Sequence, residues 1–599
     1  MQHPIGKRIK CVFLSLIFLS IALNGRAQTF KLASGPVTNT VSDSRSVNFL
    51  DLNNDGWEDL YISNGPENGQ ADLLYINDGT GQFTQVTNMA IISASNPSDG
   101  ASFADYNNDG HIDGVVSSWY GAEDLLYLND GAGNLNYNGN AGLVGGSFAE
   151  TAAFGDYDND GWLDLYVTNS GTSKNNFLYR NLQNGKFERI TNHVLVNDAD
   201  LSRGVNWGDF NNDGITDVFV ANESNSPNHI FWGRGGGTFE KLTQGDIVSA
   251  NKSTMTGSWG DIDNDGDLDL FAGNSNFFRP LNNQLYRNLG GSFEEITDDP
   301  TVLGLNCTFG SAFGDYDNDG DLDLVVSNGF CNTNLPNELY ENQGDGTFVN
   351  VSDEFESNEA ICSFGVAWGD VNNDGFLDVA FANCKNSSSG SEQANTLMLN
   401  EGNDNSWLAV KLTGVATNRD GVGARVEVKA TINGQAVWQM REVQSQSGYA
   451  GQNSLVAHFG FGDAAIVDTL VVHWPAGNRQ FLTNVAVYQR INIAEVINTS
   501  TEAIPARAET ISLDVFPNPA SDTATVKIQV INNTRSGQQE GQLFLYNMMG
   551  QIVLKQSVQI NPGISVMTFD IGAQNLAAGS YRVVLHVGGE QQTKNLILY

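Results

Sequence analysis

Apolar positions in this chain fall in short runs, and the runs recur in groups of four. Ala153-Phe154-Gly155 leads into a polar loop, and Leu165-Tyr166-Val167 leads out of it. Asp323-Leu324-Val325-Val326-Ser327-Asn328 shows the same exit three units later. A third run reads Asn-x-Leu-Tyr-x-Asn, as at 283–288 and 337–342. A fourth follows a glycine-rich turn as Gly-x-Phe at 81–83, 185–187, 237–239, 291–293 and 346–348. Runs this short, bounded by Gly, Asn and Asp, predict strands rather than helices. An aromatic stands two residues before most loops (Phe103, Phe154, Trp207, Trp259, Phe313, Trp368). The loops open at Asp51, Asp105, Asp156, Asp209, Asp261, Asp315 and Asp370, in steps of 54, 51, 53, 52, 54 and 55 residues. Four strands per unit at a fixed period predict the blades of a propeller.

The loop itself reads Asp-x-Asp-x-Asp-Gly-x-x-Asp in its fullest form, and its chemistry is that of a calcium site. Side-chain oxygens at positions 1, 3, 5 and 9, with the backbone carbonyl of position 7, can surround a hard cation that takes six to eight oxygens. The predicted ligands are Asp51, Asn53, Asp55, Trp57 and Asp59; Asp105, Asn107, Asp109, His111 and Asp113; Asp156, Asp158, Asp160, Trp162 and Asp164; and Asp209, Asn211, Asp213, Ile215 and Asp217. The later loops give Asp261, Asp263, Asp265, Asp267 and Asp269; Asp315, Asp317, Asp319, Asp321 and Asp323; and Asp370, Asn372, Asp374, Phe376 and Asp378. Trp57, His111, Trp162, Ile215, Asp267, Asp321 and Phe376 stand at position 7 and contribute only the carbonyl. No histidine or cysteine holds a side-chain ligand position, which argues against zinc or copper. An EF-hand is a poor match, because that loop is twelve residues long, ends in glutamate and lies between helices. Up to seven Ca2+ are therefore expected.

The seventh unit has its third strand at 395–400 but no Gly-x-Phe after it. That pattern appears instead before the first loop, as Gln28-Thr29-Phe30-Lys31-Leu32. Residues 28–34 are thus expected to supply the outer strand of the seventh unit and close the ring, removing its free edges. The fold class predicted is all-β: a seven-bladed calcium-binding β-propeller followed by two smaller β domains.

The formal charge of -39 over 599 residues argues against nucleic acid and anionic membranes as partners. Residues 1–27 have a basic start (Lys7, Arg8, Lys10), a short apolar core and Gly25-Arg26-Ala27 before a cut at Gln28, the pattern of a signal peptide. The core is too short to span a bilayer. An exported protein meets calcium concentrations that fill even weak loops. Cys307 and Cys331, then Cys362 and Cys384, bracket the sixth and seventh loops at matched distances. They are predicted to pair in that order, although four cysteines permit three pairings.

Phe-Gly-Asp-Tyr-Asp-Asn-Asp-Gly-Asp-Leu-Asp-Leu (313–324) resembles the FG-GAP/VCBS repeats of the integrin alpha-subunit propeller, over about residues 29–403. The resemblance implies that ligands are met by the loops joining second and third strands, here 64–71, 118–123, 169–175, 222–227, 274–282, 329–336 and 383–394. Trp119, Tyr120, Phe277, Phe278, Arg279 and Phe330 are bulky groups in loops otherwise rich in Gly, Ser and Asn. They are candidate ligand-binding residues, and packing over the blade top is the alternative. After Trp407 the period stops, and Asn418-Arg419-Asp420-Gly421, His458-Phe459-Gly460-Phe461-Gly462 and Val472-His473-Trp474-Pro475 resemble the ASPIC/UnbV domain. Asp420-Gly421 reads as a turn rather than part of a recognition tripeptide. Phe516-Pro517-Asn518-Pro519-Ala520, Leu576-Ala577-Ala578-Gly579-Ser580-Tyr581 and the ending Lys594-Asn595-Leu596-Ile597-Leu598-Tyr599 resemble the type IX secretion system C-terminal sorting domain.

The expected organisation is a signal peptide (1–27), the propeller (28–403), an ASPIC/UnbV-like β domain (404–495), a linker (496–510) and a β-sandwich sorting domain (511–599). No transmembrane segment is expected. Neither a Gly-x-Ser-x-Gly elbow nor a His-Glu-x-x-His helix occurs. The leading function is a secreted or surface-attached, non-catalytic calcium-binding adhesion protein. Its partners would be a glycan or an extracellular protein and, through the last domain, the type IX machinery. The alternative is an extracellular polysaccharide-active enzyme on the same scaffold.

Overall fold

The structure, a computed structural model, describes residues 30–143, 148–171, 175–386, 389–497, 511–516, 525–532, 539–547, 552–560, 563–570, 579–587 and 590–598. The signal segment 1–27, most of the linker 496–510, and parts of the loops 169–175 and 383–394 lie outside the described residues, as do the final-domain stretches 517–520, 548–551 and 571–578. The chain divides into two compact units, Met1–Ile497 and Asn498–Tyr599.

Each repeat forms one antiparallel sheet in chain order. In the third repeat the strands are Ala149–Gly155, Asp164–Asn169, Phe177–Asn181 and Phe187–Ile190, with Phe154 opposite Leu165, Tyr166 opposite Leu178 and Asn181 opposite Phe187. The second strand is buried along its whole length, which explains why its sequence is a continuous apolar run. Leu165 and Val167 enter a core shared with Tyr106 and Leu126 of the repeat before. Tyr166, pointing the other way, enters a core shared with Val205, Trp207 and Val220 of the repeat after. The first and seventh repeats share a core in the same manner, through Phe49, Leu60 and Tyr75 against Ala367, Val371 and Leu397.

The expectation of a seven-bladed calcium-binding β-propeller is corrected by the sheet pairing. The architecture is all-β and multi-sheet, with repeated four-stranded antiparallel sheets, and no sheet is closed or curled into a propeller or barrel. The strand ladder stops at the outer strand of each repeat, so neighbouring sheets join through side-chain packing and individual hydrogen bonds and not through a continuous ladder. Phe30–Leu32 does pair with Thr396–Asn400, Phe30 opposite Asn400, and so supplies the outer strand of the seventh sheet.

Beyond the repeats, Trp407–Thr413, Ala457–Gly460 and Gln489–Ala494 form a three-stranded sheet. Arg425–Ile432, Gln435–Glu442, Ile466–His473 and Arg479–Ala486 form a four-stranded one. They enclose Leu408, Val426, Val428, Phe459, Leu470 and Trp474. A short strand from this region, Gly451–Gln452, adds to the first repeat in parallel with Ser44–Leu50, making that sheet five-stranded. The second unit has a three-stranded and a four-stranded antiparallel sheet, the latter centred on Gln539–Asn547 and Gly579–Val587.

Candidate functional site

The acidic loops are shaped by their own hydrogen bonds. In the fourth loop Asp209 accepts from the amides of Asp213 (3.0 Å) and Gly214 (2.9 Å), and Asp213 accepts from Ile215 (2.9 Å). The glycine at position 6 has a φ of 82° there, which side-chain-bearing residues rarely adopt. Position 9 serves a second purpose. Asp164 accepts from the amides of Tyr157 (3.2 Å) and Asn181 (2.7 Å), tying the loop to the third strand.

Three groups bring carboxylate oxygens within 4.8 Å of one another: Asp156, Asp158 and Asp164; Asp261, Asp263 and Asp265; and Asp315, Asp317 and Asp323. These belong to the three loops with aspartate at position 3. Buried oxygens without a partner remain on Asp51 (Oδ1), Asp113 (Oδ2), Asp158 (Oδ1), Asp263 (Oδ1) and Asp315 (Oδ1). A buried acceptor with nothing to accept from is costly, and an all-oxygen set of this kind suits a divalent cation. Without a cation, burial pushes Asp156 and Asp261 up to about 7, with neighbouring aspartates adding to the shift. Asp315 rises to about 8, first through burial and then through the charge of Asp317. These clusters of buried acidic residues can chelate a divalent cation.

Asparagine at position 4, which the sequence reading passed over, connects the loops. Each sits in the left-handed region (Asn54, Asn108, Asn159, Asn212, Asn264, Asn318, Asn373). The side-chain amide reaches the position-6 glycine carbonyl of the next repeat: Asn54 to Gly110 (2.9 Å), Asn108 to Gly161 (3.0 Å), Asn212 to Gly266 (3.1 Å), Asn264 to Gly320 (3.3 Å) and Asn318 to Gly375 (2.8 Å). Asn373 returns to Gly56 at 3.1 Å. Asn159 donates to Pro475 of the region beyond the repeats instead. Recurrence of the same residue at one position in seven copies was the available signal.

That region lies against the loops. Lys411 Nζ is 3.1 Å from Asp51 Oδ2, and Arg490 donates to the Gly56 carbonyl at 2.7 Å. Asp105 donates its amide to Asp420 at 2.6 Å, and Arg425 donates to the Asp209 carbonyl at 3.0 Å. The Gly460 amide donates to Asp315 at 3.0 Å, and His458 Nε2 lies 3.0 Å from the Gly375 carbonyl. Asp420 and His458 are thus contacts between the two parts, and Gly421 forms the expected turn at a φ of 68°.

The candidate ligand-binding residues gather around two arginines. Arg203 has its guanidinium carbon 5.3 Å from the Trp119 ring centre and 4.9 Å from that of Phe277, so the second and fifth repeats converge on it. Arg45 lies over Phe330 and Phe364 at 5.4 and 5.2 Å. Phe277 and Phe330 both pack on Phe309, at 5.7 and 5.4 Å between centroids. Trp119, Phe277 and Phe330 are half-buried, whereas Tyr120 and Phe278 expose 44% and 48% of their surface, and Arg279 is exposed. Tyr120, Phe277, Phe278 and Phe330 all have positive φ (54°, 28°, 65° and 50°). The Phe278 amide donates to the Phe330 carbonyl at 2.8 Å, fixing the fifth-repeat loop to the sixth. Cys307–Cys331 and Cys362–Cys384 are disulfide-bonded beside these loops, with Cα atoms 5.8 and 5.2 Å apart.

Beneath the aromatics lies a buried ionic cluster that the sequence did not reveal. Arg203 donates to Glu150 at 2.5 Å and to Glu223 at 2.8 Å. The Tyr449 hydroxyl, from the region beyond the repeats, donates to Glu150 (2.6 Å) and lies 3.1 Å from Asp99. Burial, with the charge of Glu150, lifts the Asp99 carboxyl well above the usual carboxylate range.

Comparison with known proteins agrees with this layout. The FG-GAP-like repeat family matches residues 51–116, 156–220, 209–272, 274–326 and 330–381. The ASPIC and UnbV family matches 414–500, and the secretion system C-terminal sorting domain matches 514–599. Cartilage acidic protein 1 of Homo sapiens is 27% identical over 311 residues, covering 49% of this chain and 44% of that protein. The Mus musculus protein is 25% identical over 362 residues, covering 58% and 52%. The chain thus spans about half the length of these relatives. Among solved structures, SapL1 lectin in complex with alpha methyl fucoside covers 53% of this chain and 98% of its own at 10% identity, with a TM-score of 0.31. A variant of Aleuria aurantia lectin with alpha-methyl-L-fucoside covers 52% and 98% at 12% identity, also with a TM-score of 0.31. Superpositions this loose bear on neither fold nor ligand. Among the described residues no helix is long and apolar enough to cross a membrane. The chain carries FG-GAP repeats, an ASPIC/UnbV domain and a type IX secretion system C-terminal sorting domain, is distantly similar to cartilage acidic protein, and is secreted or attached to the cell surface.

Proposed function

We propose that this is a non-catalytic adhesion and recognition protein whose acidic loops hold up to seven Ca2+ and whose aromatic loops meet a glycan or an extracellular protein. The observation that carries the reading is the set of bulky residues in left-handed backbone: Tyr120, Phe277, Phe278 and Phe330. Such conformations are strained for bulky residues and persist where surrounding structure enforces them, commonly at ligand clamps. Tyr120 and Phe278 offer exposed rings that stack on sugar faces or fill a pocket in a protein partner. The loop side-chain oxygens at positions 1, 3, 5 and 9, with the carbonyl at position 7, would be the calcium ligands. The sorting domain would engage the type IX machinery. The acid pair Asp99 and Glu150, which could otherwise serve glycoside chemistry, is 2% and 0% exposed and covered by Tyr449. This favours binding over catalysis.

The test is a glycan and extracellular-protein array with the full chain, its Tyr120→Ser and Phe278→Ser variants, and matched Ca2+ and chelator arms. Both variants should lose at least about tenfold in binding, roughly 1.4 kcal/mol, while melting stays the same or rises as strain is relieved. Unchanged binding by both variants would reject the proposed face, and turnover of an arrayed glycan would reject the non-catalytic role.

A further inference from the structure

One short segment of the ASPIC/UnbV region, residues 444–454, hydrogen-bonds to every one of the seven repeats. In the first repeat Val47 donates its amide to the Ala450 carbonyl at 3.2 Å, and Asn48 stands opposite Gln452 in the parallel pairing. In the second, the Gln452 side chain both accepts from and donates to the backbone of Phe103, at 2.8 Å each way. Ser102 also donates to the Ser445 carbonyl at 3.0 Å. The Ser445 hydroxyl donates to the Phe154 carbonyl of the third repeat. Asn206 of the fourth donates to the Gln446 carbonyl at 3.2 Å. Thr256 of the fifth accepts from the Tyr449 amide at 2.8 Å. Asn453 donates to the Phe313 carbonyl of the sixth at 3.3 Å and accepts from the Trp368 amide of the seventh at 2.9 Å.

The steric fit is equally close. A Cβ on Gly451 would lie 2.2 Å from the Val366 carbonyl oxygen, and one on Gly448 would lie 2.4 Å from that of Ser311. On the facing side, a Cβ on Gly365 would lie 2.0 Å from the Ala450 oxygen. Ser445, Gln446, Tyr449, Ala450, Gly451 and Gln452 are all buried. The partners lie on the strands that open each repeat: backbone groups at Val47 and at the aromatic positions 103, 154, 313 and 368, and side chains at Ser102, Asn206 and Thr256. Those groups would be buried and unpaired without the segment, a severe cost.

We propose that the first strands of the seven repeats together form a peptide-binding surface, and that residues 444–454 are its resident ligand. On this reading the ASPIC/UnbV region acts as an intramolecular clamp and not as an appended module. The surface recognises a tight, glycine-bearing turn, in which Gly448 is bridged to Gly451 and Ala450 has a φ of 56°, with short hydroxyl and amide side chains and one tyrosine at its tip. It selects for small residues by contact at Gly448 and Gly451, and for amides by the paired bonds from Gln452 and Asn453. This inference does not depend on what the aromatic loops bind.

Amide hydrogen exchange on the full chain tests it with Gln452→Ala and Tyr449→Phe. Gln452→Ala should speed exchange of first-strand amides in all seven repeats by about tenfold or more, because the clamp reports to every sheet. Tyr449→Phe, which keeps the ring and removes only the hydroxyl, should raise exchange chiefly around residues 99–101, 149–151 and 202–204. If Gln452→Ala instead loosens only residues 407–494 and leaves the repeat strands protected, the clamp is refuted. Should Gln452→Ala not yield folded protein, Tyr449→Phe decides alone, and unaltered exchange at those three places overturns the proposal.

Discussion

At the scale of single residues, asparagine carries more of this structure than its polarity suggests. The last residue of the Asn-x-Leu-Tyr-x-Asn pattern is buried, and its side chain spans two repeats. Asn288 donates to the Phe210 carbonyl of the preceding repeat at 2.7 Å and to Leu268 of its own at 2.9 Å. Asn129, Asn181, Asn342 and Asn400 do the same, and Asn77 reaches Val371 at 2.6 Å. Only the fourth repeat differs, with Gly233 at that place. Asn288→Ala leaves two buried carbonyls without a donor and should cost about 1–3 kcal/mol, measurable as a lower denaturation midpoint. A loss near zero would show that relaxation or water replaces the tie. The pattern was legible in the sequence as a strand, whereas the partner of its last asparagine lies nearly 80 residues away and was not. The same limit applies to the candidate binding residues. Their bulk was visible, but their convergence on Arg203 and Arg45 depends on sheets from several repeats and on left-handed backbone that no local pattern announced.

At the scale of elements, the loops and strands were legible because each repeats the same physical solution seven times. Strand runs, loop glycines and the donated strand at Phe30–Leu32 all follow from patterning and turn chemistry. Closure did not follow, since short strands whose hydrogen bonding ends within each repeat leave every sheet open. The loops carry a pH signature of their own. In the absence of a cation, Asp156, Asp261 and Asp315 titrate at about 7, 7 and 8, above their ordinary 3.8. A carboxyl raised in the folded state holds more protons there than in the unfolded chain. Its contribution is therefore present at acid pH and lost as pH rises through the folded value. In chelator, melting should fall between pH 5 and 8, by roughly 5–10 °C summed over the loops. With millimolar Ca2+ the trend should flatten or reverse, because the cation takes the place of the protons. Parallel pH profiles in the two conditions would show that the loops hold no cation.

At the scale of the whole molecule, the Met1–Ile497 unit joins two kinds of sheet through contacts at the loops, at the 444–454 segment and in shared apolar cores that take in Val422 and Met440. The same face supplies Lys411 against Asp51, Arg425 against Asp209, and the Gly460 amide against Asp315. Docking of the ASPIC/UnbV region therefore requires loops held in one shape, and a cation that binds only the shaped loop stabilises the docked state by the same free energy. Calcium removal should then lower the unfolding of the repeats and of the ASPIC/UnbV region together, as one calorimetric transition that shifts without splitting. Trp407 and Trp438 lie in the ASPIC/UnbV region, and Trp207, Trp259 and Trp368 lie in the repeats. Fluorescence of single-tryptophan substitutions can follow each part through the same melt. Coincident curves in calcium and in chelator would establish that the two regions are one cooperative body. Two separated curves, only the repeat one responding to calcium, would show that docking is independent of the loops and that the contacts at Asp51, Asp209 and Asp315 add little to it.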